Sequence, residues 1–337
     1  MERPDASNVL LVEKKQSRRL FRKAVRTEIA EQRNKERELI LDTKTRDMKM
    51  FHKLVRNNRK KGNEAVVELD VNGEKYSGSD SIIHGYRQHF SQLATFNPET
   101  RLDEQYHNIV EDDINTINYL VQHKDIKNVS MDEINKATQS LNKGKSADYH
   151  GLTIEHIIYA GKEIQQLLAM LMGEIFERGG IPESLKMGLL TPIFKNKRTK
   201  QQAVNYRGIT VLLVIGKIIE TIIKNRTQRY VLETQNKRQR GFIAGSSPMN
   251  SALPIEEAYR DSKDNNTTLQ LVLLDVKAAF DTVIHSHLLR KVYLAGIDDK
   301  HWTLIKDLHE NAQSSIKWEG NISTPFVVKQ GVRPEAF

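Results

Sequence analysis

Leu269-Gln-Leu-Val-Leu-Leu-Asp275-Val-Lys-Ala-Ala-Phe280-Asp-Thr-Val283 is the stretch on which the fold turns. Leu271 to Leu274 form an unbroken apolar run after an Asn-Asn-Thr-Thr turn, which predicts a strand over 269–276 buried on both faces. A carboxylate closing such a strand is costly unless it coordinates a cation or is hydrogen-bonded, because desolvation disfavours its charged form. Asp275 therefore reads either as a metal ligand or as a satisfied structural carboxylate. The residues that follow predict a tight turn into a helix, with Asp281 better placed to cap that helix than to share a cation.

Upstream, residues 184–219 contain Lys186, Lys195, Lys197, Arg198, Lys200, Arg207 and Lys217 and no acidic residue. Unopposed cations beside a strand end suit a phosphate site, with arginine favoured for bidentate contact. A basic solvated loop is the plainer alternative. Strand character is expected over 188–194, and helices over about 211–231 and 247–261. Downstream of Asp275, one helix should close at Gly296 and the next start at Asp298, before a hairpin around Glu319-Gly320-Asn321.

Towards the N-terminus, Ser130-Met-Asp-Glu133 matches a capping box opening a helix through Ile134, Ala137 and Leu141. Helices at 153–160 and 162–178 should stop at Gly161 and Gly179-Gly180. Val66 to Tyr76 reads as a hairpin turning at Asn72-Gly73, a pair that tolerates positive φ. Ile82, Ile83, Tyr86, Phe90 and Leu93 recur at helical spacing. Residues 97–128 are acidic and weakly patterned, like a linker. Residues 9–61 read as helix, polar all round from Glu31 to Glu38, as expected of a helix in solvent or lying on a partner.

Charge is unevenly placed. Lys plus Arg number 52 against 43 Asp plus Glu, and residues 1–63 hold 19 of the basic and 9 of the acidic side chains. The N-terminal arm thus carries +10 and the rest of the chain −1. Such a field suits a polyanion, either nucleic acid or an anionic membrane surface. The absence of cysteine excludes disulfides, thiolate metal sites and cysteine nucleophiles within these 337 residues. No apolar run approaches the ~18 residues of a membrane span, and Val9 to Val12 is too brief for a secretory signal. Gly144-Lys145-Ser146 lacks the upstream glycine of a phosphate-binding loop. His285-x-His287 has no third ligand nearby in sequence.

Five blocks stand in a fixed order. They are Asn142-Lys-Gly-Lys-Ser-Ala-Asp-Tyr-His-Gly-Leu-Thr-Ile-Glu-His156; Thr191-Pro-Ile-Phe-Lys195 with Asn205-Tyr-Arg-Gly-Ile-Thr210 and Ile215-Gly-Lys217; Gln239-Arg-Gly-Phe-Ile-Ala-Gly-Ser-Ser247; Leu274 to Val283; and Gln330-Gly-Val-Arg333. Together they resemble the reverse transcriptase domain of non-LTR (LINE-type) retrotransposons, with Leu274 to Val283 similar to polymerase motif A and Gln330 to Arg333 to the start of motif B. The resemblance implies an α+β fold: fingers and part of the palm of a right-hand polymerase, preceded by a basic helical arm. It divides the chain into the arm (1–63), a connector with hairpin and helix (64–129), fingers (130–268) and a palm (269–337) that breaks off within motif B.

The same resemblance implies residue roles. Asp275 matches a ligand of two magnesium ions, joined by the backbone carbonyl of Val276, in a reaction where the ions activate a primer hydroxyl and neutralise the leaving pyrophosphate. Lys195 and Arg207 match residues that grip the nucleotide triphosphate. Phe280 matches the side chain that packs under the incoming sugar and excludes a 2′-hydroxyl. RNA template, DNA primer or target and deoxynucleoside triphosphates are the implied partners, with no membrane. The family's later Tyr/Phe-x-Asp-Asp motif does not occur here, since Asp112-Asp113 and Asp298-Asp299 are misplaced for it. The expectation is a C-terminally truncated fragment that does not polymerise alone. The alternative is a non-catalytic RNA- or DNA-binding protein using the fingers surface and Arg56, Arg59, Lys60 and Lys61. Either product is expected inside the cell, in nucleus or cytoplasm.

Overall fold

The computed structural model describes residues 9–48, 50–52, 66–96, 103–196, 198–276 and 278–332. Arg56, Arg59, Lys60, Lys61, Lys197, Lys277 and Arg333 lie outside these residues. The chain divides into two units, Met1–Ala65 and Val66–Phe337. Helix α1, Val9–Arg46, dominates the first and leaves almost all its described side chains exposed.

The second unit mixes helices and sheet around three apolar clusters. Strands β1 (Glu68–Val71) and β2 (Glu74–Ser77) pair antiparallel across Asn72 and Gly73, both at positive φ as a two-residue hairpin requires. Helix α2 (Ser79–Leu93) lays Ile82, Ile83, Tyr86 and Phe90 into a cluster with Leu69, Val71 and Tyr206. A five-stranded sheet lies against it. Strand β3 (Met187–Phe194) pairs antiparallel with β4 (Tyr206–Leu212) and parallel with β5 (Gln313–Trp318). Short strands β6 (Asn321–Ile322) and β7 (Phe326–Val327) both pair with β5, so the return arm of the expected hairpin is broken by Ser323 to Pro325.

Residues 97–128, expected as a linker, contain helix α3 (Glu104–Val121). The Asp103 carboxylate caps it by accepting from Tyr106 N, and Val110, Ile114, Ile117 and Val121 bury one stripe against Leu289 and Trp302. The 4-3-4 spacing of those residues carries the helix within acidic surroundings. Helix α4 (Met131–Ser140) opens with the complete Ser130–Glu133 capping box. Helices α5 (Ile154–Ile158) and α6 (Lys162–Arg178) follow, the second ended by Gly179 at φ 70°. With α7 (Val214–Thr234) and Leu304 they form the largest cluster. The structure starts α7 three residues later than expected, because the β-branched and aromatic Tyr206–Leu212 segment pairs as β4 instead. Helices α9 (His285–Leu294) and α10 (Lys300–His309) close the unit; Asp299 rather than Asp298 caps α10.

The largest departure is at 269–276. Helix α8 (Pro248–Asp264) has no buried residue, and the segment after it is irregular. Leu273 and Leu274 are 81% and 91% exposed. A strand needs a neighbour for its N–H and C=O groups. Among the described residues no strand pairs with this run.

Candidate functional site

The β3–β4 hairpin sets two of the expected cations on one face. Ile193 stands opposite Arg207 in the register, and the Lys195 N–H extends the ladder by donating to Asn205 O at 2.9 Å. Side chains alternate along a strand, so Ile193, Lys195 and Arg207 share the solvent face. The intervening loop is held from within. Asn205 Nδ2 donates to Thr199 O at 2.8 Å, the Tyr206 hydroxyl donates to Lys200 O at 2.9 Å, and Lys195 Nζ donates to Val204 O at 3.0 Å.

The loop from Ala278 to Val283 meets the segment Gln330 to Val332. Ala278 sits at φ 55° and its carbonyl accepts from Asp281 N and Thr282 N. Gly331 N donates to Val283 O and Val332 N to Phe280 O, each at 2.8 Å. His285 Nε2 donates to Gly331 O at 2.9 Å. Gly331 has φ 84°, and a Cβ there would stand 2.9 Å from Asp281 O, so the close approach requires glycine. Phe280 is 44% exposed and meets Phe242 edge to face, ring centroids 5.7 Å apart.

Lys195 links these two parts electrostatically. The atoms crowding Asp281 raise its carboxyl pKa, and the Lys195 charge opposes that rise. Burial lowers His89, on α2, to about 4, and Lys195 pushes in the same direction. The Lys195 charge therefore acts on both Asp281 and His89, with the Phe280 ring one residue from Asp281. Asp281 makes no helix cap: α9 begins at His285 behind Ile284, without a capping side chain.

The remaining expectations fare differently. Asp275 and Val276 are exposed, and no described residue hydrogen-bonds or pairs with the Asp275 carboxylate. Lys186 is only 4% exposed and donates to Asp307 Oδ1 at 2.9 Å, so it braces the interior rather than a phosphate. Among the described residues no three His, Asp or Glu side chains converge to hold a metal ion. One carboxylate does not hold a pair of divalent ions, so these donors do not fit a complete two-ion site.

Sequence reasoning passed over Asp148, within the first block. Its Oδ1 accepts from His150 N and Leu152 N at 2.9 Å and its Oδ2 from Val214 N at 3.0 Å, tying that loop to the start of α7. The Asp-x-x-Gly pattern, Asp148 to Gly151, was the available signal. His89 carries none beyond its neighbours.

Residues 195–334 match the family model for reverse transcriptase (RNA-dependent DNA polymerase). The chain is 22% identical over 205 residues to the transposon TX1 uncharacterized 149 kDa protein of Xenopus laevis, covering 61% of this chain and 16% of that one. It is 26% identical over 220 residues to a probable RNA-directed DNA polymerase from transposon BS of Drosophila melanogaster (61% and 23%). It is 28% identical over 128 residues to the RNA-directed DNA polymerase from mobile element jockey of Drosophila melanogaster (37% and 14%). The chain thus spans less than a quarter of the length of these relatives. Residues 195–334 thus resemble the reverse transcriptase family, and the chain is similar to RNA-directed DNA polymerases of non-LTR retrotransposons.

Proposed function

We propose that this chain supplies the nucleotide-gripping part of an RNA-directed DNA polymerase, its fingers and first palm segment, preceded by a basic arm. The reaction served is addition of deoxynucleotides to a DNA 3′ end copied from RNA. Supporting this is one observation above others: Lys195 and Arg207 share a hairpin face, and the Lys195 charge reaches the loop that carries Phe280. In this reading Lys195 and Arg207 bind and orient the triphosphate, with Arg207 free to engage two oxygens at once. Phe280 lies under the sugar and crowds out a 2′-hydroxyl. Asp275 and the Val276 carbonyl are this chain's contribution to a magnesium site that needs further carboxylates. These 337 residues on their own, without a Tyr/Phe-x-Asp-Asp motif, do not extend a primer.

Photocrosslinking of labelled deoxynucleoside triphosphate to the full chain tests the reading. Crosslinking should fall at least tenfold in Lys195→Ala and Arg207→Ala, and Phe280→Ala should admit ribonucleotides that the unaltered chain rejects. A chain that captures no nucleotide, or captures it equally in all three variants, contradicts the reading. Template-dependent primer extension by these residues, abolished by Asp275→Ala, contradicts the expectation that they do not extend a primer on their own.

A further inference from the structure

Helix α1 carries seven cations between Lys14 and Arg26 and no acid among them. At 100° per residue, Lys15, Arg18, Arg19, Arg22, Lys23 and Arg26 form one continuous face. These six also line a shared surface depression. All are exposed, and no described residue offers any of their side chains a hydrogen bond or an ion pair. The spacing sets Lys15 beside Arg19, Arg18 beside Arg22, Arg19 beside Lys23 and Arg22 beside Arg26, each a like-charge pair at i,i+4 that destabilises an isolated helix. Farther along, the pattern reverses: Arg33, Lys35 and Arg37 alternate with Glu31, Glu36 and Glu38. A helix that concentrates repulsion in three turns and neutralises it elsewhere is built to meet a polyanion there.

We propose that this face is a docking strip for the phosphodiester backbone of a nucleic acid. The proposal rests on the polymerase reading above for the class of partner, and it assigns the contact to α1 rather than to the basic run at 56–61. The charge spacing fits. Lys15 to Arg26 covers ~16 Å of helix axis, and one strand of a duplex presents a phosphate every ~3.4 Å, about five over that length. The opposite face argues against a membrane surface. Leu20 and Phe21, 66% and 70% exposed, share it with Ser17 and Glu28, too narrow an apolar stripe to bury in lipid.

The test compares the full chain with a variant carrying K15Q, R18Q, R19Q, R22Q, K23Q and R26Q, since glutamine keeps helix propensity. A control carries R33Q, K35Q and R37Q. A third variant, R18K, R19K, R22K and R26K, keeps the charge. Binding to labelled single-stranded RNA, duplex RNA and duplex DNA of mixed sequence is followed from 50 to 200 mM salt. The six-site variant should bind about a hundredfold more weakly at 100 mM salt, with a salt slope shallower by about 4. The control should bind within fivefold of the unaltered chain, and the lysine variant should retain the slope. Equal losses in the six-site and control variants, or an unchanged slope, overturn the proposal. So does retention by vesicles containing 30% phosphatidylserine without nucleic-acid binding. Nucleotide crosslinking at Lys195 separates the two readings: a chain that crosslinks nucleotide but binds nucleic acid independently of α1 loses only the docking strip. One that does neither loses both.

Discussion

Gln330 Nε2 donates to the carbonyl of Leu93 at 2.9 Å, tying a loop of the family domain to the end of a helix far upstream in sequence. The bond is reinforced by Lys329 N and Gln330 N, which both donate to Ala94 O. The last carbonyls of α2 have no partner within the helix, and here the 329–330 backbone and the Gln330 amide take them up. The same segment then pairs with Phe280 and Val283 through Gly331 and Val332. Helix α2, outside the matched residues 195–334, is in this way part of what holds the Phe280 loop.

Gly331→Ala tests that bracing. The position combines φ 84° with a Cβ that would sit 2.9 Å from Asp281 O, so alanine forces the two segments apart. A residue strained in this way costs on the order of 1–3 kcal/mol. The urea midpoint should fall accordingly, and hydrogen exchange at Val283 and Val332 should speed up. Unchanged exchange there contradicts the pairing.

Asp148 gives a second test, based on the number of acceptors it offers. Its two oxygens serve three backbone N–H groups at 4% exposure. Asparagine keeps one oxygen and turns an amide N–H towards a donor, so Asp148→Asn should cost about 1–3 kcal/mol through the group left unsatisfied. Asp148→Ala should cost at least as much. Stability unchanged in Asp148→Asn means the carboxylate does not hold α7 in place.

Local rules made much of this fold legible. Asn72-Gly73 specified a two-residue turn, Ser130 and Glu133 a helix start, and Gly179 a helix stop, because each acts through its own few neighbours. Helix α3 was masked by composition: its acidic residues other than Asp113, which pairs with Arg290, face solvent, while four apolar residues are buried. Lys186 looked like part of a basic loop because Asp307, its partner, lies over a hundred residues away. The failure at 269–276 has a different origin. An apolar run states what a segment prefers to bury, whereas strand pairing depends on a second segment that the run does not encode. Of the site, Lys195 and Arg207 were marked by the resemblance alone, since no strand was expected over 206–212; their shared hairpin face and the nearness of Lys195 to Asp281 and His89 depend on pairings between distant segments.

Glu133 and Arg226 make a pH-dependent contribution. Arg226 donates from Nε to Oε1 at 2.7 Å and from a second nitrogen to Oε2 at 2.9 Å. The guanidinium chiefly, helped by Ser130 N–H and opposed by burial, holds the Glu133 carboxyl down to about 2. A carboxyl depressed on folding stabilises fully above its unfolded pKa, near 4.3, and that stability is lost as pH falls towards the folded value. With solvent screening of a partly exposed pair, Glu133→Gln should cost about 1–2 kcal/mol at pH 7. The gap in urea midpoint between the two proteins should close between pH 5 and pH 2.5. A gap that stays constant over that range rules out the ionic contribution.

The exposed run Leu271 to Leu274 leads to the last expectation. Apolar, β-prone and free of described strand partners, it presents backbone groups on which another chain can pair. Substituting Leu273→Lys and Leu274→Lys together should leave the melting temperature nearly unchanged, because side chains 81% and 91% exposed contribute little burial. Self-association measured by sedimentation should fall. Ile316→Ala is the contrast: at 0% exposure, in the cluster joining the sheet to α2, it should cost about 2–5 kcal/mol. If the double lysine variant instead melts as early as Ile316→Ala, the run is buried in solution. The neighbouring Asp275 then closes a paired strand, and the desolvation argument that singled it out in the sequence applies in full.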